Sequence, residues 1–286
     1  MPTTDTSSVR PDATVTIVEP RTRWTAADLA ELWRFRDLLW ILAARDIKVR
    51  YRQTVVGALW AVLQPVATMV LFSGLFSLLG RTPASAGTPY VVSSFCGLLP
   101  WQMLAYNVTQ ASTSLVANQA LVTKVYFPRV LLPIAPALTG LVDFLVAFVV
   151  LLGMMVAFHI HLTSAVLLSP FFLLLALWLS IAIGIHLAAL TALFRDFRFV
   201  VPLLIQVGFL VSPVVYETKV LVPAAWRWVY DLNPTVAILD GFRWCLLGSA
   251  PPSAYSLVAS LVVTAGLTYL ALASFRSRER DITDRI

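Results

Sequence analysis

Charged residues along this chain fall in short clusters separated by apolar runs, and the runs have the length of membrane-crossing helices. From Gln53 to Gly80, 28 residues pass without an Asp, Glu, Lys or Arg, directly after the cluster Arg45-Asp46-Ile47-Lys48-Val49-Arg50-Tyr51-Arg52. A helix of that length rises about 42 Å, enough to cross a hydrocarbon core of ~30 Å with some tilt. The same pattern predicts six spans, at about 57–79, 89–115, 131–158, 165–193, 199–216 and 254–275. The second contains Pro100 and several Ser, Thr and Asn residues, so it is expected to be bent or partly re-entrant. The third and fourth are joined by the short turn His159–Ser164. Segment 217–253 is too apolar for a free loop and too interrupted for a clean span. Two short amphipathic or re-entrant helices fit it, broken at Asn233-Pro234 and ending near Gly248; it either forms the outer mouth of a pathway or merely caps the bundle.

Outside the spans the pattern changes. Residues 1–24 are polar and aperiodic, and read as a disordered cytoplasmic tail. Over 25–52, Leu29, Leu32, Trp33, Leu39, Trp40 and Leu42 recur at helical spacing, with Arg34, Arg36, Asp37, Arg45 and Asp46 between them. This predicts an amphipathic helix in the cytoplasmic interface, the alternative being a soluble helix packed on a partner. Residues 276–286 read as a second cytoplasmic tail.

Composition agrees with lipid as the solvent. Hydrophobic residues make up 59% of the 286 and charged residues 13%, about half the charged share of soluble domains. The net charge of +6 does not point to nucleic acid, because the cations sit beside spans rather than along a stripe. On the six-span reading, seventeen of the 21 Lys and Arg residues share one face, leaving Arg81, Lys219, Arg227 and Arg243 on the other. That asymmetry places both termini in the cytoplasm. The first long apolar run starts too late for a signal peptide, so the chain is expected to insert through its own first span.

Candidate chemistry is sparse. Cys96 and Cys245 belong to no C-x-x-C pair and read as two buried thiols, with a disulfide as the alternative; His159, His161 and His186 are scattered. No metal site is assigned. There is no G-x-x-x-x-G-K-[ST] phosphate cradle and no intramembrane array of acids and bases for a proton relay. The one acid deep in a span is Asp143, whose ionised burial would cost ~2.5–3.5 kcal/mol on the insertion scale. It is therefore expected to be protonated, bonded to a neighbour such as Asn107 or Gln110, or facing water, as structural glue between helices, with a substrate contact as the alternative. The loop Ala117–Arg129 could form a short helix followed by a break at Pro128. Its Lys124, Val125, Tyr126, Phe127 and Arg129 suit either a docking knob for a partner or an anchor in headgroups.

Four runs taken together, DIKVRYRQTVVGALWAVLQPV (46–66), SLVANQALVTKVYFPRVLLP (114–133), FRDFRFVVPLLIQVGFLVSPVVY (194–216) and LNPTVAILDGFRWCLLG (232–248), resemble in sequence and order the permease subunits of type-2 ABC exporters. The resemblance is to the group that exports O-antigen, capsule and teichoic-acid polymers. It implies an all-α polytopic fold and a homodimer bound by two copies of a cytoplasmic ATP-binding subunit. Any ATP and Mg would belong to that subunit, and this chain would need no cofactor. It implies that 117–129 is the coupling helix, and that the conduit lies at the dimer interface between first and fifth spans, where Trp60, Phe72, Phe76, Phe209 and Tyr216 are the candidate lining. Arg52, Asp143, Arg195 and Asp196 are candidates for the inner mouth or its support, the last two as a local ion pair. Trp226, Trp228, Asn233 and Arg243 are candidates for the outer gate.

The expectation is thus a permease in the bacterial inner membrane, moving a lipid-linked polysaccharide or polyol-phosphate polymer outward and catalysing no covalent step itself. Alternatives are the same architecture exporting drugs or small lipids, and a membrane-embedded enzyme acting on lipid-linked intermediates. The latter needs clustered acids, histidines or a nucleophile–base pair, which the scattered Asp143, His159, His161 and His186 do not form. A secondary carrier lacks its intramembrane charge pairs.

Overall fold

The computed structural model describes residues 26–52, 59–80, 84 and 88–285, with side chains from residue 30 to residue 278. Residues 1–24, Arg81 and the beginning of the first expected span lie outside the described residues. Twelve α-helices follow in order: α1 (Ala26–Arg34), α2 (Arg36–Arg52), α3 (Trp60–Leu78), α4 (Tyr90–Ala117), α5 (Gln119–Lys124), α6 (Leu131–Ala157), α7 (Ser169–Leu193), α8 (Phe197–Val211), α9 (Thr218–Leu221), α10 (Arg227–Tyr230), α11 (Pro234–Leu247) and α12 (Ala254–Arg285). No strand occurs among the described residues. The fold is that of an all-helical polytopic membrane protein.

Among the described residues four helical segments are long and apolar enough to cross a membrane: Trp60–Leu78, Leu131–Ala157, Ser164–Leu193 and Ala254–Arg278. The other two expected spans differ from these for separate reasons. Helix α4 has 28 residues but turns its polar side chains inward, burying Ser93, Ser94, Asn107, Ser112 and Ser114. It is the centre of the bundle, packed most extensively on α7 and α6. Helix α8 has only 15 residues, about 22 Å of rise. The chain leaves the helix at Ser212, which is extended (φ −100°, ψ 150°), so the expected span to residue 216 is cut short.

Close approach of α4 to its neighbours depends on small residues, as is usual where lipid supplies no hydrophobic drive between helices. A Cβ on Gly184 of α7 would lie 2.7 Å from Ala111 Cβ of α4. Helix α11 is fixed by its ends. Asn233 caps it by accepting from Thr235 N at 3.1 Å, Pro234 occupies its first turn, and Gly248 closes it in the left-handed region at φ 67°. The sequence boundaries at Asn233-Pro234 and Gly248 are those observed.

At one end of the bundle a second apolar cluster joins Leu42 of α2, Val122 of α5, Phe127, Leu131 of α6, Ile185 of α7 and Phe275 of α12. The expected single helix over 25–52 is two helices, with a turn at Phe35. The expected tail at 276–286 begins as helix: α12 runs on to Arg285 without Gly or Pro to stop it. Cys96 and Cys245 are free and buried. His186 Nδ1 lies 2.9 Å from Ser274 Oγ, tying α7 to α12.

Gly184→Leu should lower the detergent-solubilised unfolding midpoint by the equivalent of ~1–3 kcal/mol, the cost of overpacking. Gly153→Ala, where an added Cβ meets nothing within 4 Å, should not lower it; thermal scans of both variants check the contrast.

Candidate functional site

Asp143 lies in the middle of α6, and its compensation comes from α2 rather than from α4. Arg50 Nη2 is 2.8 Å from its carboxylate, and the Tyr51 hydroxyl donates to its other oxygen. Neither expected partner is used: Asn107 donates instead to Ser180 Oγ at 3.0 Å, and the Gln110 side chain meets no hydrogen-bonding partner among the described residues. A carboxylate at this depth is held most strongly by a cation, and α2 brings two consecutive residues to it. Burial, reinforced by the bond to Asp143, raises the Tyr51 phenol, so it remains a donor. The Arg50 guanidinium also covers the Tyr106 ring, 4.3 Å from its centroid. These partners were not singled out in the sequence; the signal was an intramembrane acid downstream of an arginine-rich helix end.

One turn or more earlier, Arg45 of α2 donates from Nη1 to Asn118 Oδ1 at 2.9 Å. Asn118 immediately precedes α5, so α2 is bonded both to the α5 junction and to the middle of α6. Helix α5 ends at Lys124, and Val125 is extended (φ −127°, ψ 135°). Val125 and Tyr126 are exposed, Tyr126 to 83%, whereas Phe127 is 4% exposed. The expectation that Phe127 offers itself to a partner is therefore corrected. Once the backbone is extended, successive side chains point apart, and Phe127 turns into the apolar cluster with Leu42 and Val122 as Tyr126 turns out. Lys124 is exposed and Arg129 half-buried.

Arg195 and Asp196 are both exposed at the turn before α8, and no ion pair joins them, contrary to expectation. Sequence neighbours at a helix start diverge, and pairing two solvated charges gains little. Arg52 ends α2 and is exposed.

The aromatic candidates of α3 and α8 do meet. Phe72 stands 5.7 Å from Phe209 and 6.4 Å from Phe76, Phe76 lies 5.5 Å from Tyr90, and Phe209 lies 6.0 Å from Trp101. Trp60 stands apart at the start of α3, 51% exposed. Tyr216 belongs to the outer segment, its hydroxyl 2.5 Å from that of Tyr230; burial, then this contact, raises the Tyr230 phenol.

Arg243 is not at the surface of the outer segment, as a gate residue would be. It is 1% exposed and donates to the carbonyls of Ser93 (3.1 Å), Pro213 (2.6 Å) and Val214 (2.6 Å), with Asp240 at 3.5 Å. It thereby satisfies the backbone freed where α8 unwinds and fastens it to α4 and α11. Asn233 donates to Ser212 Oγ at 3.3 Å, in the same junction. Nearby, Ser93 donates to the buried Glu217 at 2.9 Å. Trp226 and Trp228 are exposed, at 66% and 63%.

The described residues thus form a helical bundle with a charged clasp at either end and an exposed knob at Val125 and Tyr126. The chain belongs to the ABC-2 type transporter family, whose model matches residues 37–247. It is 30% identical over 257 residues to the O-antigen export system permease protein RfbA of Myxococcus xanthus, covering 90% of this chain and 98% of that protein. It is 26% identical over 241 residues to a protein of the same description from Klebsiella pneumoniae, covering 84% and 91%. Its identity to the polysialic acid transport protein KpsM of Escherichia coli is 23% over 241 residues, covering 83% and 92%.

Arg50→Ala should destabilise the fold by about 2 kcal/mol, less than a fully buried pair would cost because Arg50 keeps partial solvent access. The double substitution Arg50→Ala with Asp143→Ala should cost less than the two single ones summed, as a double-mutant cycle on unfolding midpoints would show.

Proposed function

We propose that this chain is the permease of an ATP-driven exporter carrying a lipid-linked polysaccharide or polyol-phosphate polymer outward across the bacterial inner membrane. The observation that carries the reading is the kinship, over most of their lengths, with two O-antigen export system permeases and a polysialic acid transport protein. The chain works as a homodimer with two copies of a separate cytoplasmic ATP-binding subunit, which binds the ATP and Mg. Both termini are cytoplasmic, in agreement with the concentration of Lys and Arg on one face.

In this reading the Val125–Tyr126 knob docks on the ATPase, and the buried Phe127 anchors it to the helix ends beneath. A push on α5 would pass through the Asn118–Arg45 bond into α2, and through Arg50 and Tyr51 into α6. The dimer would form along the outward faces of α3 and α8, where Val70, Leu71, Leu203 and Leu210 are exposed. The aromatic series from Tyr90 to Phe209 would then stand beside the conduit, offering ring faces to a sliding glycan. Short helices of the outer segment, with Trp226 and Trp228, would close its far end.

Tyr126→Ala should reduce polymer export at least about tenfold per ATP hydrolysed, a loss of ~1.4 kcal/mol of coupling, with an unchanged unfolding midpoint. Phe127→Ala should instead lower that midpoint, by the ~3–5 kcal/mol of a deleted core aromatic. Export of surface polymer by inverted membrane vesicles, with ATPase activity measured in parallel, tests both. Normal polymer export in cells lacking the chain would defeat the proposal, and Lys124 and Arg195 labelling from opposite sides would defeat the topology.

A further inference from the structure

A cavity of ≈ 280 Å³ opens between α2, α3, α4 and α6, and polar side chains interrupt its largely apolar wall. Trp60, Gln64, Gln102, Tyr106 and Gln110 line it, with the Arg50–Asp143 pair as its floor. A second cavity of ≈ 510 Å³ shares Arg50, Tyr106 and Gln110 with the first and continues past Arg45, Asp46 and Asn118. Trp60 begins α3, whose 19 residues rise about 28 Å, close to one hydrocarbon thickness. On the proposed topology the cavity therefore opens beside the inner end of α3 and reaches to Asp143 in the middle of α6, a path open to the sugars next to a membrane-borne lipid.

The wall chemistry limits what can enter. Its charges are already closed into pairs: Arg50 with Asp143 at 2.8 Å, and Arg45 with Asp46 at 2.9 Å. An anion would have to break one of them. The uncommitted groups are neutral. Gln64 spends one amide hydrogen on Gln102 Oε1 at 3.1 Å, which leaves the Gln102 amino group, the Gln64 carbonyl and the whole Gln110 amide to form further hydrogen bonds. Half-exposed Trp60 adds an apolar indole face and an indole N–H. Amides that both donate and accept, beside an aromatic face, match the alternating hydroxyls and C–H faces of a pyranose ring.

We infer that this intraprotomer cavity is a binding subsite for a neutral sugar unit of the cargo, reached from the cytoplasm before the conduit is engaged. Gln102 and Gln110 hydrogen-bond its hydroxyls and Trp60 stacks on its C–H face. The Arg50–Asp143 clasp shapes the floor and keeps it neutral. This rests on the exporter reading above and adds to it a location and a ligand chemistry within one protomer.

The test uses the purified exporter in lipid nanodiscs and, as probe, the lipid-free oligosaccharide released by mild acid from the host's own lipid-linked glycan. Binding is followed by saturation-transfer NMR, and unfolding midpoints identify variants that remain folded. Gln102→Leu and Gln110→Leu should each weaken binding about fivefold, the worth of one net hydrogen bond. Gln110→Glu should retain it within about twofold, because a carboxylate still accepts from hydroxyls. Wild-type affinity in both leucine variants would overturn the site, as would a wild-type protein that exports polymer yet does not bind the probe. Displacement of the probe by inorganic diphosphate, with loss of binding in Gln110→Glu, would make this an anion site and overturn the sugar assignment. A wild-type exporter that neither binds the probe nor exports polymer would remove the exporter reading with it.

Discussion

A charge that enters a membrane protein must bring its counter-charge with it, and in this chain that constraint sets the position of α2. Asp143 lies in the middle of α6 with little solvent access, so it draws in the end of α2 through Arg50 and Tyr51. With that end fixed, Arg45 falls beside Asn118 and Leu42 falls onto the Val122–Phe127 cluster. Helix α2 is thus held by a charge at one point and by apolar packing at another. The cavity bounded by the clasp owes its neutral, polar floor to the same pair.

The outer end obeys the same rule with the roles reversed. There the uncompensated groups are backbone carbonyls, left where α8 unwinds after Val211, and the guanidinium of Arg243 supplies their hydrogens. Irregular backbone at membrane depth persists only where protein satisfies it, and a planar donor with several N–H groups can serve several carbonyls at once. One arginine therefore fastens α11, α4 and the end of α8 into a single junction.

Elements bounded by strong local signals were legible in the chain itself. Helix α11 carries its own stops, Asn233-Pro234 and Gly248, and α6, α7 and α12 are apolar runs edged by charge or turn residues. Helix α8 was read too long because Ser212 to Tyr216 is apolar enough to continue it, although Pro213 pushes Ser212 out of the helical region; Arg243 then satisfies the carbonyls freed there. Phe127 was read with Tyr126 as one aromatic pair, although an extended backbone sends adjacent side chains to opposite sides. Asp143 was recognised as a residue needing a partner. Its partners, 92 and 93 residues earlier in the chain, could not be read from any local pattern.

Sequence by itself determined the solvent and the helical class, because hydropathy acts residue by residue. It also contained the ordered motifs by which the family is recognised. Tertiary structure alone decided which polar groups meet: Arg50 with Asp143, Arg45 with Asn118, Arg243 with the freed carbonyls. The physical reason is that a buried polar group is satisfied by whatever packing places within about 3 Å, and packing joins residues that no spacing along the chain connects.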